Sequence, residues 1–165
     1  MLTLDTFKIG DHSLSILCSD ERVHAIFNDK NTSFLQNSVY TLQENKVSQE
    51  VKNQLNAYFN QKLTHFDLPI SLKGTPFQTL VWEELLKIPY GKTVSYIDIA
   101  RNIKRDAAVR AVGNANGKNP YLIVVPCHRV ILQNGRLGGY SSGLDLKKQL
   151  LHLENAAFQR GLKEF

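Results

Sequence analysis

The sequence predicts an α+β protein in two lobes: a small sheet-plus-helix lobe over residues 1–73 and a mostly helical lobe over 74–165. Three observations carry that expectation. Short, partly alternating apolar runs dominate the early residues, as half-buried strands require. From Thr75 onward, apolar positions recur at helical spacing between clear start and stop signals. Between the two regions, LPISLKGTP (68–76) gathers turn residues and marks a boundary.

In the first lobe, SLSIL (13–17) and RVHAIFND (22–29) read as strands separated by the turn-like CSDE. SQEVKNQLNAYFNQKL (48–63) then places Val51, Leu55, Tyr58 and Phe59 on one helical face, with Ser48 as its cap. Cys18 closes an apolar run and reads as a small packed side chain. No motif in this lobe carries chemistry.

The second lobe opens at Thr75-Pro76-Phe77-Gln78, which supplies an N-cap, a proline in the first helical turn and a capping-box glutamine. Phe77, Leu80, Val81, Leu85 and Ile88 form the expected buried face, and Pro89 and Gly91 end the helix. Ser95 with Asp98 opens SYIDIARNI; the short connection KRD leads to AAVRAVGNAN (107–116), which ends near Gly117 and Pro120. Two short helices joined by a tight turn make a helix-turn-helix candidate. YLIVV (121–125) reads as a buried strand, Asn134-Gly135 as a tight hairpin and GGYSSG (138–143) as a permissive loop. LDLKKQLLHLENAAF (144–158) is the last amphipathic helix.

Composition narrows the class. The chain has 165 residues, 42% of them apolar and 21% charged, in the range of a soluble globular protein. No run approaches the length of a bilayer span, and the start lacks a basic region followed by an apolar one, so a cytoplasmic location is expected, or a nuclear one in a eukaryote. Two cysteines give no disulfide framework, and the scattered histidines make no zinc spacing. Residues 1–73 carry 7 Lys/Arg against 8 Asp/Glu, whereas residues 74–165 carry 13 against 7. A basic half beside a neutral one fits a polyanion partner, although a merely soluble basic surface gives the same balance.

Two stretches invite a chemical reading. AAVRAVGNAN is built from small side chains around a lone Arg110, which permits close helix packing or close approach to a nucleic-acid groove. The basic balance and the preceding helix and turn favour the groove. IVVPCHRV (123–130) ends an apolar run at Pro126 and sets Cys127 beside His128. On a continuing strand these neighbours would face opposite ways; a turn at the proline brings both into one cleft, with a water completing the relay if they do not touch. A reactive thiol needs a base, and the base needs an orienting group, for which Glu154 on the last helix is available. Taken singly, Cys127 also reads as a core thiol, His128 as a satisfied histidine and Glu154 as a solvated helix residue.

With these motifs in order, the sequence resembles the O6-alkylguanine-DNA alkyltransferases. PFQTLVWEELLKIPYGKTVSY, IAR, RAVGNAN, NP, PCHRVI, GGYSSG and LLHLE carry the resemblance across the second lobe. It implies an RNase H-like first lobe acting as support, and a second lobe with a winged helix-turn-helix-type DNA-binding motif. It implies irreversible, single-turnover transfer of a methyl or larger alkyl group from O6 of guanine, with O4-alkylthymine a second substrate to test. Cys127 would accept the group, with His128 deprotonating it through a bound water, Glu154 holding His128, Asn119 bonding His128 or the nearby backbone, and Tyr96 donating to the guanine ring. Arg110, Ala111, Gly113, Ala115 and Asn116, with Thr93 and Ser95, would contact DNA; Arg110 would fill the space left by the flipped nucleotide. Tyr140, Ser141, Pro126 and Val130 would line the alkyl pocket.

The implied partner is duplex DNA carrying O6-alkylguanine, entered from the minor groove with the base turned out, by a monomer that either binds singly or in cooperative rows. No cofactor, metal or membrane is implied: some relatives hold zinc in the first lobe, but this chain lacks the cysteines and histidines for it. Ser142 departs from the family, which often has glycine there. Three rivals make different predictions. A lesion-binding relative would bind without reacting, a helix-turn-helix regulator would prefer an operator, and a cysteine hydrolase would turn over repeatedly.

Overall fold

The structure is a computed structural model and describes residues 1–156. It divides into two compact units, Met1–Ser71 with Pro120–Leu122, and Leu72–Asn119 with the chain from Ile123 onward.

The first unit is built on a four-stranded sheet. Its strands are β1 (Leu2–Ile9), β2 (His12–Cys18), β3 (Val23–Asn28) and β4 (Tyr40–Leu42), in the order β3-β2-β1-β4. β1 pairs antiparallel with β2, and β2 with β3, while β4 adds parallel to β1. Neither β1 nor β4 is among the strands expected from the sequence: β1 pairs with its neighbour β2 across Gly10–Asp11, while β4 is only three residues long and pairs with distant β1. Helix α1 (Lys46–Phe59) packs on β1 and β2 and buries Val51, Leu55 and Tyr58. Its cap is Asn45 rather than Ser48: the Asn45 side chain accepts from the Ser48 amide, and Ser48 returns the bond as the other half of a capping box. Leu4, Leu17, Ala25 and Phe27 form a separate cluster with Phe34, Leu35 and Tyr40 packed against it. Pro120–Leu122 joins this unit by pairing along β3, with Ile26 N donating to Pro120 O and Leu122 N to Ile26 O.

The second unit is mostly helical, with α2 (Pro76–Leu86), α3 (Tyr96–Asn102) and α4 (Val109–Gly117) packed on one another. Thr75–Gln78 and Ser95–Asp98 both form the capping boxes that their spacing predicts. The buried face of α2 is Val81, Trp82 and Leu85; Leu80, expected inside, is 41% exposed. Trp82 takes its place, donating Nε1–H to Ala115 O at 2.9 Å. Its ring also leaves no room for a side chain at Gly74, whose Cβ would lie 2.6 Å away. α4 starts two residues later than expected, with Ala108 as an N-cap that makes no side-chain bond.

YLIVV is buried but is not a strand. Tyr121 alone makes a bridge, Ile123 adopts φ 73, and prolines flank the segment. A β-branched residue in the left-handed region costs on the order of 1–3 kcal/mol, which the surrounding core must offset. The Asn-Gly turn does form, closed by Leu132 N donating to Arg136 O, but its second arm is no strand. Instead β6 (Val130–Ile131) pairs parallel with β5 (Val94–Ser95), which ties the start of α3 to the chain just after Cys127. α5 spans Leu144–Leu153, so Glu154 is its C-cap rather than an interior residue. Ala157 and Phe158, the expected end of that helix, lie outside the described residues.

Candidate active site

Pro126 has φ −83 and ψ 61, and Cys127 N donates to Val125 O at 2.8 Å. That is an inverse γ-turn, and it runs directly into a 3-10 helix over Cys127–Arg129. The proline therefore ends the extended run, and strand alternation no longer separates Cys127 from His128. All three residues of the turn are buried. Two asparagines hold it. Asn119 Nδ2 donates to Val125 O at 2.7 Å and to Cys127 Sγ at 3.1 Å, and Asn116 Nδ2 donates to Cys127 O at 3.4 Å.

Behind the thiol lies a closed ionic group. Glu154 Oε1 is 2.8 Å from His128 Nε2 and 2.9 Å from Arg129 Nη2, while Oε2 accepts from Arg129 Nε at 2.9 Å and from Gly91 N at 3.3 Å. Arg129 Nη1 donates to Ile88 O at 2.7 Å. Burial alone would raise the Glu154 carboxyl, but bonds from His128 and Arg129 outweigh it and hold the group well below the carboxylate range. An ionised carboxylate can only accept, so His128 carries its proton on Nε2 and presents the lone pair of Nδ1. Nδ1 is buried and meets no hydrogen-bond partner among the described residues. Burial also pushes the imidazole below its usual pKa, so it is neutral at pH 7 and able to take a proton.

The thiol is pushed up by burial, against the opposing pull of Asn119, Tyr140 and the Lys147 charge. The resting group is therefore chiefly the thiol. Tyr96, half-buried at the start of α3, donates to Gly139 O at 3.5 Å, and burial followed by the nearby Cys127 pushes its phenol up to about 12. It stays a donor at any physiological pH. Gly138 is required beside it: φ is +72, and a Cβ would meet Tyr96 and Leu132 at 3.3 Å.

An open cavity of about 930 Å³ adjoins the site, lined by Tyr96, Arg110, Gly113, Asn116, Tyr140 and Ser141, among others. Arg110 and Ala111 lie exposed on α4. Ala115, expected on the same outer face, is instead 3% exposed beneath Trp82. Asn116 is 4% exposed and serves the thiol turn, and Ser95 is spent as the cap of α3. Thr93 is half-buried two residues before α3's cap. Pro126 and Val130, expected in the pocket, do not line it; Val130 is fully buried in the β5–β6 pair. Asn119 bonds the nearby backbone and also the thiol itself. Arg129 and the fully buried Lys147 were missed, because the sequence shows a buried charge and a solvated one alike. Lys147 does share one helical face with Leu150, Leu151 and Glu154, which is a legible signal. Among the described residues no group of three or more His, Cys, Asp or Glu could hold a metal ion.

A buried cysteine on a turn next to a buried histidine–carboxylate pair is the arrangement found in proteins that react through a thiol. Comparison with known proteins makes the class specific. The family described as 6-O-methylguanine DNA methyltransferase, DNA binding domain, matches residues 76–156, and its ribonuclease-like domain matches residues 7–72. A methylated-DNA–protein-cysteine methyltransferase of Methanosarcina mazei is 54% identical over 112 residues, covering 67% of this chain and 71% of the relative. One from Methanosarcina barkeri is 50% identical over 113 residues, covering 68% and 72%. The crystal structure of Mycobacterium tuberculosis OGT in complex with DNA matches with a TM-score of 0.85 and 40% identity, over 93% of this chain and 92% of that one. This chain belongs to the 6-O-methylguanine DNA methyltransferase family.

Proposed function

We propose that Cys127 is the residue onto which this protein moves an alkyl group from O6 of guanine in duplex DNA, once per molecule. Repair of DNA by alkyl transfer to a cysteine is the activity of the family, and its relatives carry the name methylated-DNA–protein-cysteine methyltransferase. The observation that carries the residue assignment is the His128–Glu154 bond, which leaves Nδ1 of a neutral, buried imidazole as a base beside a buried thiol.

The steps balance without a cofactor. The Cys127 proton passes through a bridging water to His128 Nδ1, and the Glu154 carboxylate steadies the imidazolium that forms. The thiolate attacks the sp³ carbon on O6; an S–C bond forms, the C–O6 bond breaks, and the electron pair returns to the guanine ring. Tyr96 donates a hydrogen bond to the ring as that charge develops, which lowers the barrier for a poor leaving group, and the proton held on His128 returns by way of solvent as the guanine is protonated. The thioether has no route back to thiol, so one molecule acts once.

The carbon on O6 cannot be reached within a stacked duplex, so the damaged nucleotide is turned out into the cavity. Exposed Arg110 fills the space it leaves, and the small side chains of Ala111 and Gly113 let α4 approach the minor groove. Tyr140 and Ser141 line the pocket for the alkyl group. Residues 74–165 carry the reaction and 1–73 support it, the protein acts as a monomer, and a cytoplasmic, DNA-associated location goes with this reading. No helix among the described residues is long and apolar enough to cross a membrane.

Incubation with a duplex bearing one labelled O6-methylguanine tests the reading. Label uptake should stop at one equivalent, and Cys127→Ala should bind the lesion yet take up none. Uptake that survives Cys127→Ala would overturn it.

A further inference from the structure

Lys147 on α5 has no exposed surface, and no carboxylate pairs with it among the described residues. Its Nζ donates to Val130 O at 2.7 Å, Leu137 O at 2.6 Å and Gly139 O at 3.1 Å. Those acceptors satisfy all three ammonium protons and belong to three different segments. Val130 follows the thiol turn in β6, Leu137 follows the Asn-Gly turn, and Gly139 opens the loop that holds Tyr140 and Ser141. Gly139 O is also the acceptor for the Tyr96 phenol. The rings of Tyr96 and Tyr140 lie with their centroids 5.9 and 5.8 Å from the same ammonium.

A cation held only by carbonyls and ring faces loses more in desolvation than those contacts return, and a leucine would pack there at lower cost. Leu146, Leu150 and Leu151 do so on the same helix. The charge therefore has to be explained by what surrounds it. The titratable groups facing it are the Cys127 thiol and His128 imidazole of the turn, with the Tyr96 and Tyr140 phenols; Arg129 and Glu154 neutralise each other.

We propose that Lys147 is a positioning residue for alkyl transfer: its ammonium clamps the thiol turn, the Asn-Gly arm and the pocket loop into one wall, and it is the counter-charge against which the Cys127 thiolate forms. The proposal rests on reading Cys127 as the acceptor. It gives one group two linked effects. Through Gly139 O it sets where Tyr96 and the Tyr140–Ser141 wall meet the base, and its buried charge favours the thiolate over the thiol. Burial brings Lys147 down to about 8, a Cys127 thiolate acts in the opposite direction, and the lysine charge in turn draws the thiol down.

Two variants separate charge from clamp. Lys147→Met keeps a straight side chain in the buried slot without charge or donors, and Lys147→Arg keeps the charge but cannot seat the same three carbonyls. Two rates are read for each: methyl transfer from lesion duplex, and alkylation of Cys127 by iodoacetamide across a pH series. For Lys147→Met, transfer should slow by about tenfold or more and the midpoint of thiol alkylation should rise by roughly one pH unit. Lys147→Arg should restore the thiol midpoint while transfer stays slow. Should Lys147→Met not fold, Lys147→Arg decides alone, and transfer at the parent's rate overturns the clamp. A folded Lys147→Met with the parent's midpoint and rate overturns the whole proposal. The iodoacetamide arm needs no lesion, so it reads Lys147 even if the parent fails to accept methyl, a failure that would instead refute the acceptor assignment.

Discussion

Glu154 Oε1 lies 2.8 Å from His128 Nε2, and both side chains are fully closed to solvent. That contact fixes which imidazole nitrogen bears the proton, and Arg129 on the same carboxylate keeps the group from carrying a net buried charge. On the proposed reading, that neutral imidazole is the base that takes the thiol's proton.

Replacing Glu154 by Gln keeps the shape and removes the charge. The amide keeps one acceptor oxygen and puts an NH2 donor where the other stood, so His128 and Arg129 compete for one oxygen and Arg129 is left as an uncompensated buried cation. Single-turnover methyl transfer should slow by roughly a hundredfold, and thermal or denaturant unfolding should show a loss of about 3–5 kcal/mol. A rate near the parent's in a folded variant would remove Glu154 from the site.

Acid should weaken the fold in two stages. Burial holds His128 below its ordinary value of 6.5, so the unfolded chain takes up that proton first as pH falls. Glu154 is also held down, so below its ordinary 4.5 the unfolded chain again binds more protons. Both contributions are present at neutral pH and are lost in acid, the first beginning near pH 6.5 at up to about 1.4 kcal/mol per pH unit. Denaturant unfolding across this range checks the slope, and His128→Gln should flatten its upper part. Methyl transfer should persist below pH 6.5, because the neutral base survives there.

Tyr96→Phe removes the phenol donor and leaves the ring packed beside Gly138. Transfer from O6-methylguanine should slow by roughly tenfold to a hundredfold. Alkylation of Cys127 by iodoacetamide, which has its own good leaving group, should keep the parent's rate. Equal slowing of both reactions would mean that Tyr96 acts on the thiol and not on the base.

Features written in adjacent residues were legible in the sequence. The capping boxes at Thr75 and Ser95 are local, and so is the turn forced by Pro126. What depends on distant partners was not. YLIVV has the composition of a strand, yet Pro120 and Pro126 cannot donate to a ladder and Ile123 turns out of the extended region. α4 reads as one small-residue surface, but Trp82 claims Ala115 and the thiol turn claims Asn116. Cys127, His128 and Glu154 could be nominated from motif and resemblance. The roles of Arg129 and Lys147 needed the core around them, because only burial and partners tell a structural charge from a solvated one.

The most direct measurement is the intact mass of the protein after incubation with a duplex carrying one O6-methylguanine, followed by peptide mapping. A gain of one methyl group, found on the peptide containing Cys127 and stopping at one equivalent, is the expected result. An unchanged mass despite lesion-selective binding, or a methyl group on Cys18, would contradict the assignment of Cys127 as the acceptor.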